Sequence, residues 1–233
     1  MKKGRAYILT YPPTILAVLL CAHWGSYAVS TFSETKAIPR NACIIIDPGH
    51  GGVDGGATSC SGIPESQYNL EISLRLKDLL HLLGFETKLI RESDVSVYTK
   101  GETIAQKKIS DLKERVRIAN ETQNAVLLSI HQNYFSDPRY NGAQVFYGSA
   151  ENSQPLAKQL QTFLSTALDP NNRRKAKKSS GVYLMDHANC TSVLIECGFL
   201  SNPAEEAMLR TSAYQKKLCA VIGTTVHSFL SNT

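Results

Sequence analysis

The chain has 233 residues, of which 42% are hydrophobic, enough for one domain with a substantial core but not for two. Its formal net charge of +5 falls to +2 once the three basic residues of positions 1–28 are set aside, so charge does not favour nucleic acid as a partner. The cysteines form no CxxC pair, which disfavours a zinc site built from thiolates.

Residues 1–28 have the pattern of an export signal. A basic start is followed by an apolar run over residues 15–22 and by small residues that end at Ala28. Two prolines, at positions 12 and 13, limit the uninterrupted apolar stretch to about ten residues, which is short for a membrane span. We predict a cleaved signal peptide over residues 1–28, with an uncleaved membrane anchor through residues 8–22 as the alternative. Either way, the protein is expected to act outside the cytoplasmic membrane.

The rest of the chain alternates strand patterns with helix patterns, after a polar linker predicted over residues 29–40. Alternation of this kind predicts a single three-layer α/β/α domain over residues 41–233, with a mostly parallel mixed sheet. The predicted strands are 43–46, 85–90, 125–130, 142–147, 182–185 and 192–195, and the predicted helices are 66–83, 109–119, 156–168, 203–210 and 212–230. Ser66 is expected to cap the first helix and Gly84 to end it. The basic run 173–178 is interpreted as a solvated loop.

The first predicted strand leads directly into a glycine-rich loop. It breaks at Pro48-Gly49 and places His50 in a loop with four more glycines. In an α/β sheet, sites form in the loops at the carboxyl ends of strands, so His50 is a candidate metal ligand. A phosphate-binding loop is the first alternative, but neither the Lys-Ser/Thr of a Walker motif nor a GxGxxG is present. A tight structural turn with an incidental histidine is the second.

Two further predicted strands also end in a polar residue suited to metal chemistry. His131 ends the strand 125–130 and Glu196 ends the strand 192–195, while Glu65 precedes the first long helix. Two histidines and one carboxylate make a catalytic zinc site that leaves a fourth position open for water. The second carboxylate is then available as a general base. Spacing alone leaves open which glutamate has which role, and it does not exclude Glu71.

Four motifs, in order along the chain, resemble those of the zinc-dependent N-acetylmuramoyl-L-alanine amidases. They are Asp47–Gly52, Glu65 with Asn69-Leu70, Ser129–Asn133 and Glu196–Asn202. The resemblance covers residues 42–230 and implies His50, Glu65 and His131 as ligands of Zn²⁺ and Glu196 as the catalytic glutamate. It also implies peptidoglycan as the substrate, cleaved between N-acetylmuramic acid and L-alanine.

Further similarity relates the chain most closely to the germination-specific spore-cortex amidases of endospore formers, which take part in forming muramic δ-lactam. It lies in residues 91–94, 112–115 and 174–185. This resemblance implies a cell-wall or spore-cortex location. Whether an accessory protein assists, and which oligomer forms, stays open at this point.

Three residues near the predicted site differ from the usual amidase pattern, and two other functions are considered. Ser66, Gln132 and Tyr134 depart from the usual amidase pattern near the predicted site, which puts the shape of the substrate groove in question. Arg91 and Arg115 are expected to form structural ion pairs. The rival functions are another exported zinc peptidase or carboxypeptidase acting on wall peptides, and a non-enzymatic wall-binding protein.

Overall fold

A six-stranded sheet forms the middle layer of the fold. The computed structural model describes residues 42–231. The strands are β1 (Cys43–Pro48), β2 (Glu86–Leu89), β3 (Ala125–Asn133), β4 (Gln144–Tyr147), β5 (Lys177–Lys178) and β6 (Thr191–Phe199). Their order is β2-β1-β3-β6-β4-β5. The β4–β6 pair is antiparallel and the other pairs are parallel, which confirms the predicted mostly parallel mixed sheet.

Helices cover both faces of this sheet. They are α1 (Glu65–Leu82), α2 (Ile104–Glu121), α3 (Ser153–Leu168), α4 (Tyr183–His187), α5 (Pro203–Leu209) and α6 (Ser212–Ser231). Ile44 and Ile46 of β1 face a core shared with α1, α3 and α6. Ile45, between them, faces a second core shared with α2 and α4. Because alternate residues of β1 pack into different cores, the strand is apolar throughout, and the three-layer prediction is confirmed.

The first helix ends as predicted and begins differently. Gly84 has a φ of 89°, and its N–H donates to the His81 carbonyl while that of Phe85 donates to the Leu80 carbonyl; this is a Schellman ending. The predicted cap at Ser66 is wrong, because α1 already begins at Glu65. The N–H groups of Glu65 and Ser66 donate instead to carbonyls of the glycine loop, so no side-chain cap is needed there.

Two local predictions in the last third of the domain are wrong. Residues 182–185 were expected to form a strand, but Tyr183–His187 is the short helix α4. Leu184 and Met185 of this helix are buried against the second core, and a four-residue apolar run fits either conformation. Within the basic run, Lys177–Lys178 forms the short exposed strand β5 rather than loop.

The predicted signal or anchor over residues 1–28, with its possible attachment through 8–22, and the linker over 29–40 lie outside the described residues. Among residues 42–231, no helix has the combined length and apolar character that crossing a membrane requires.

Candidate metal centre

Three of the four predicted site residues meet at the carboxyl edge of the sheet. His50 follows β1, His131 lies near the end of β3, and Glu65 is the first residue of α1. One potential ligand atom from each lies within 4.8 Å of the others. His50 Nε2 is 3.3 Å from Glu65 Oε2, and His131 Nδ1 is 2.9 Å from Glu65 Oε1. Both histidines therefore direct a ring nitrogen at the same carboxylate.

The glycines of the β1 loop allow this close approach. A Cβ on Gly49 would lie 2.3 Å from the His131 ring, and a Cβ on Gly56 would lie 2.6 Å from Glu65 Oε2. Such contacts are shorter than any real Cβ contact, so both positions require glycine for space. His50 itself has a φ of 59°, a conformation that is uncommon for residues other than glycine and often marks a functional site.

Glu65 is surrounded by hydrogen-bond donors. Besides the two histidines, its carboxylate accepts the N–H groups of Ala57 and Gln132, at 3.1 Å each, and the Asn69 side-chain amide at 3.2 Å. Burial acts to raise the pKa of Glu65, but the hydrogen bonds and charges of His131 and His50 outweigh it and hold the pKa well below its usual range. Glu65 is therefore an anionic carboxylate held in a fixed position.

A second carboxylate orients His50 from the other side of its ring. Asp54 Oδ2 lies 3.0 Å from His50 Nδ1 and 3.1 Å from Lys108 Nζ. A carboxylate on the far nitrogen of a metal-binding histidine fixes both its tautomer and its orientation. Burial acts to lower the pKa of His50, but Glu65 and Asp54 together raise it above the usual value. Sequence reasoning missed Asp54, although it lies four residues after His50 in the same glycine loop.

Two buried arginines support the loop from beneath. Arg115 pairs with Asp47 and Asp111, which confirms its predicted ion pairing, and it also donates to the carbonyl of His50. The predicted ion pair of Arg91 is wrong, because Arg91 forms no ion pair with another residue of the range 42–231. Its guanidinium donates instead to the carbonyls of Pro48, Gly49, Ser66 and Ser93. Because burial and the charge of Arg115 disfavour its cation, the pKa of Arg91 falls to about 10.

Glu196 lies beside the three-residue group in a different environment. It is directly opposite His131 in the β3–β6 register, so both side chains are on the same face of the sheet. Its Oε2 is buried and has no hydrogen-bond partner among the described residues. Burial, reinforced by the charge of Glu65 against the opposing effect of His131 and His50, raises the pKa of Glu196 to about 7.

The donor set fits a zinc ion. Zinc prefers imidazole nitrogen and carboxylate oxygen at roughly 2.0–2.2 Å in tetrahedral geometry. Ligand atoms around such an ion are then roughly 3.3–3.6 Å apart, and the three atoms here already lie within 4.8 Å. Glu71, the alternative glutamate, lies along α1 and instead accepts hydrogen bonds from Gln67 and Gln215. It is not part of the group.

Comparison with known proteins identifies the family. The sequence profile described as N-acetylmuramoyl-L-alanine amidase matches residues 44–228. This chain belongs to that family. It is 38% identical over 189 residues to the germination-specific N-acetylmuramoyl-L-alanine amidase of Bacillus subtilis, covering 80% of this chain and 79% of the relative. The resemblance to amidases, and within them to a germination-specific member, is confirmed.

Solved structures of amidases share the fold. The CwlD amidase of Clostridioides difficile, solved in complex with the GerS lipoprotein, superposes with a TM-score of 0.79 and 38% identity, over 83% of this chain and all of that one. An N-acetylmuramoyl-L-alanine amidase from Clostridium difficile 630 superposes with a TM-score of 0.71 and 28% identity, over 82% of this chain and 97% of that one. The α/β architecture is therefore that of the amidase family.

Proposed function

We propose that this domain is a zinc-dependent hydrolase that cleaves peptidoglycan between N-acetylmuramic acid and L-alanine. The observation that carries the proposal is the arrangement of His50, Glu65 and His131 around one point, with Glu196 directly beside them. Three protein ligands with one open position are typical of catalytic zinc sites, whereas structural zinc sites have four. Membership of the amidase family supports the choice of bond.

The proposed roles of the side chains are supported by their surroundings. His50, Glu65 and His131 would hold the ion, which when bound would polarise the scissile carbonyl and lower the pKa of a water to about 7. Glu196 accepts a proton from the attacking water and delivers it to the departing L-alanine nitrogen. The Glu196 Oε2 has no hydrogen-bond partner among the described residues, so the carboxylate is available to accept and return that proton.

Digestion of purified peptidoglycan fragments tests the reaction. The zinc-loaded domain is expected to release intact stem peptides that begin with L-alanine, and sugars with a free lactyl carboxylate. Shortened peptides that remain attached to the sugar would instead support a carboxypeptidase and contradict the amidase assignment. Binding without any cleavage would support the wall-binding alternative. That alternative is disfavoured because all four positions of the candidate site hold the expected residues.

We further propose that the substrate is spore cortex, processed outside the cytoplasmic membrane toward muramic δ-lactam. The support is the 38% identity to the germination-specific amidase of Bacillus subtilis. Deletion of the gene in the source organism is expected to remove muramic δ-lactam from cortex digests. An unchanged δ-lactam content would contradict this assignment without touching the proposed reaction.

A lipoprotein partner is a related proposal. Its support is that the CwlD amidase of Clostridioides difficile was solved in complex with the GerS lipoprotein. Affinity purification of the tagged chain from sporulating cells is expected to retain a lipoprotein, and its absence under cross-linking would contradict the proposal.

A further inference from the structure

A row of polar side chains leads away from the metal centre across the sheet. His131 of β3 is opposite Glu196 of β6, and Glu196 is opposite Gln144 of β4. Residues directly opposite each other on neighbouring strands project to the same face. The side chains of His131, Glu196 and Gln144 therefore lie side by side on three neighbouring strands.

Arg174 extends this row by one more side chain. Its Nη1 donates to Gln144 Oε1 at 3.1 Å, and its Nε donates to the Asn141 carbonyl at 2.8 Å. The guanidinium also lies over the ring of Phe199, with its central carbon 4.6 Å from the ring centroid. Two contacts with the stretch 141–144 and one with Phe199 of β6 fix the position of a side chain that would otherwise be flexible.

The fixed Arg174 guanidinium still has N–H donors available to a ligand. Among residues 42–231, no carboxylate lies within 4 Å of Arg174, and no hydrogen bond engages its Nη2. Glu205 is near enough for its charge to interact with that of Arg174, but its carboxylate accepts the N–H groups of Gly142 and Phe199. A partly buried, pre-oriented arginine with free Nη donors matches a carboxylate, which it can bind through two parallel hydrogen bonds.

We propose that Arg174 binds a carboxylate of the stem peptide and so sets which peptides the amidase accepts; this rests on the proposed function. In a peptidoglycan repeat the N-acetyl sugars are neutral and the lactyl carboxyl is consumed in the scissile amide. The negative charge therefore belongs to the peptide that leaves.

The spacing agrees with this choice. Neighbouring strands are about 4.8 Å apart, and Arg174 lies one side chain beyond β4, the strand next to that of Glu196. The Arg174 guanidinium is therefore on the order of 10 Å from Glu196. An extended peptide spans at most about 3.3–3.6 Å per residue. Carboxylates on the second and third residues of the stem therefore lie roughly 7–11 Å beyond the scissile amide.

Other cations near Arg174 provide matched controls. Lys158, Arg173 and Lys175 line a groove against α3 together with Arg174, but none of these three contacts Gln144 through its side chain. Within residues 42–231, the Arg173 side chain donates only to the Pro170 carbonyl. Arg173→Gln thus removes the same charge one residue away and leaves the row intact.

The test compares two muramoyl peptides that differ only in having free or amidated stem carboxylates. Binding is measured by calorimetry on the zinc-loaded Glu196→Gln variant, and kcat/KM is measured on the otherwise unchanged enzyme. We expect the free carboxylates to improve both quantities by roughly 10- to 100-fold. Arg174→Gln should remove this preference, Arg174→Lys should keep part of it, and Arg173→Gln should keep all of it.

Several outcomes would overturn the inference. Equal binding of both peptides by the protein with Arg174 intact would do so, as would an equal loss on both peptides in Arg174→Gln, which indicates a purely structural role. Equal peptide binding together with Arg174-dependent binding of polyphosphate would assign Arg174 to a phosphate-bearing polymer instead. Carboxylate-dependent binding without any hydrolysis would uphold the inference and refute the proposed reaction.

Discussion

Glu65 and Glu196 are two carboxylates at the same edge of the sheet with opposite surroundings. Glu65 accepts hydrogen bonds from two backbone N–H groups and one amide, and it contacts both histidines. Glu196 has an enclosed oxygen with no partner at all among the described residues. The pKa of Glu65 is lowered and that of Glu196 is raised to about 7.

This difference supports the separate roles that we propose for the two residues. A ligand must remain charged and stationary, and every contact of Glu65 favours its anion. A general base must bind and release a proton, and Glu196 has an enclosed oxygen that no other group among the described residues engages. Pairs of acids whose environments move their pKa values apart are typical of active sites. The structure thus supports Glu65 as ligand and Glu196 as base.

The largest effect is expected when a histidine of the group is removed. His131→Ala should reduce bound zinc to background and abolish hydrolysis, because two remaining ligands hold zinc poorly. His187→Ala is the control, since His187 is an exposed residue of α4 whose ring contacts the Tyr183 carbonyl. Metal analysis on both purified variants measures the effect. Full zinc occupancy in His131→Ala would remove His131 from the ligand set.

Asp47 is a third buried carboxylate, and its two oxygens contact Arg115 and Ser129. Arg115→Gln leaves Asp47 buried with only Ser129 as a side-chain partner and is expected to lower the free energy of unfolding by about 3–5 kcal/mol. Arg117→Gln removes an arginine paired with Glu114 and Glu121 at the surface of the same helix and should change it by about 0–1 kcal/mol. Urea denaturation compares them. Equal losses would show that burial does not decide the energy.

Replacing Glu196 should stabilise the protein at high pH, whereas removing the partner of Asp47 should destabilise it. Its pKa is higher in the folded state, so the protonated group stabilises the fold fully below pH 4.5 and this contribution is lost as pH rises through about 7. In metal-free protein, Glu196→Gln should therefore be more stable than the parent at pH 8, by at most about 3 kcal/mol. The gain should shrink toward pH 5. Urea denaturation at both pH values measures it, and a destabilised variant at pH 8 would contradict the assigned environment.

The smallest of these effects should come from the residue that orients His50. Asp54→Asn keeps the shape of the side chain but removes the charge facing His50 Nδ1, and such changes typically weaken metal binding by about 10- to 100-fold. Asp94→Asn is the control, because Asp94 accepts the Gly52 N–H in the same loop without contacting a ligand residue. Competition with a zinc chelator gives both affinities. Equal affinities in the two variants would leave Asp54 without an orienting role.

The sequence predicts the central part of the fold well because its signal there is strong. The central strands contain buried apolar runs, 43–46 in β1, 125–128 in β3 and 193–195 in β6, and a polar residue follows each run. The run 182–185 gave the wrong structure because four apolar residues fit a strand and a helix equally. Its conformation depends on packing against α2, which is distant in sequence.

The residues of the candidate site could be proposed from the sequence, but their contacts could not. His50, Glu65, His131 and Glu196 follow from strand ends and motif resemblance. The carbonyl partners of Arg91 and the enclosed oxygen of Glu196 depend on long-range contacts that no local pattern encodes. The contacts of Asp54 with His50 and of Arg174 with Gln144 were not predicted, for the same reason.

Zinc content and turnover, measured on the same preparations of Glu65→Gln and Glu196→Gln, test the division of roles most directly. Glu196→Gln is expected to keep its zinc while hydrolysis falls by roughly 10²–10⁴-fold, the usual contribution of a positioned acid–base group. Glu65→Gln is expected to lose zinc, since it replaces an anionic ligand. Zinc retained in Glu65→Gln and lost in Glu196→Gln would reverse the two roles, and full activity in Glu196→Gln would contradict its role as the base.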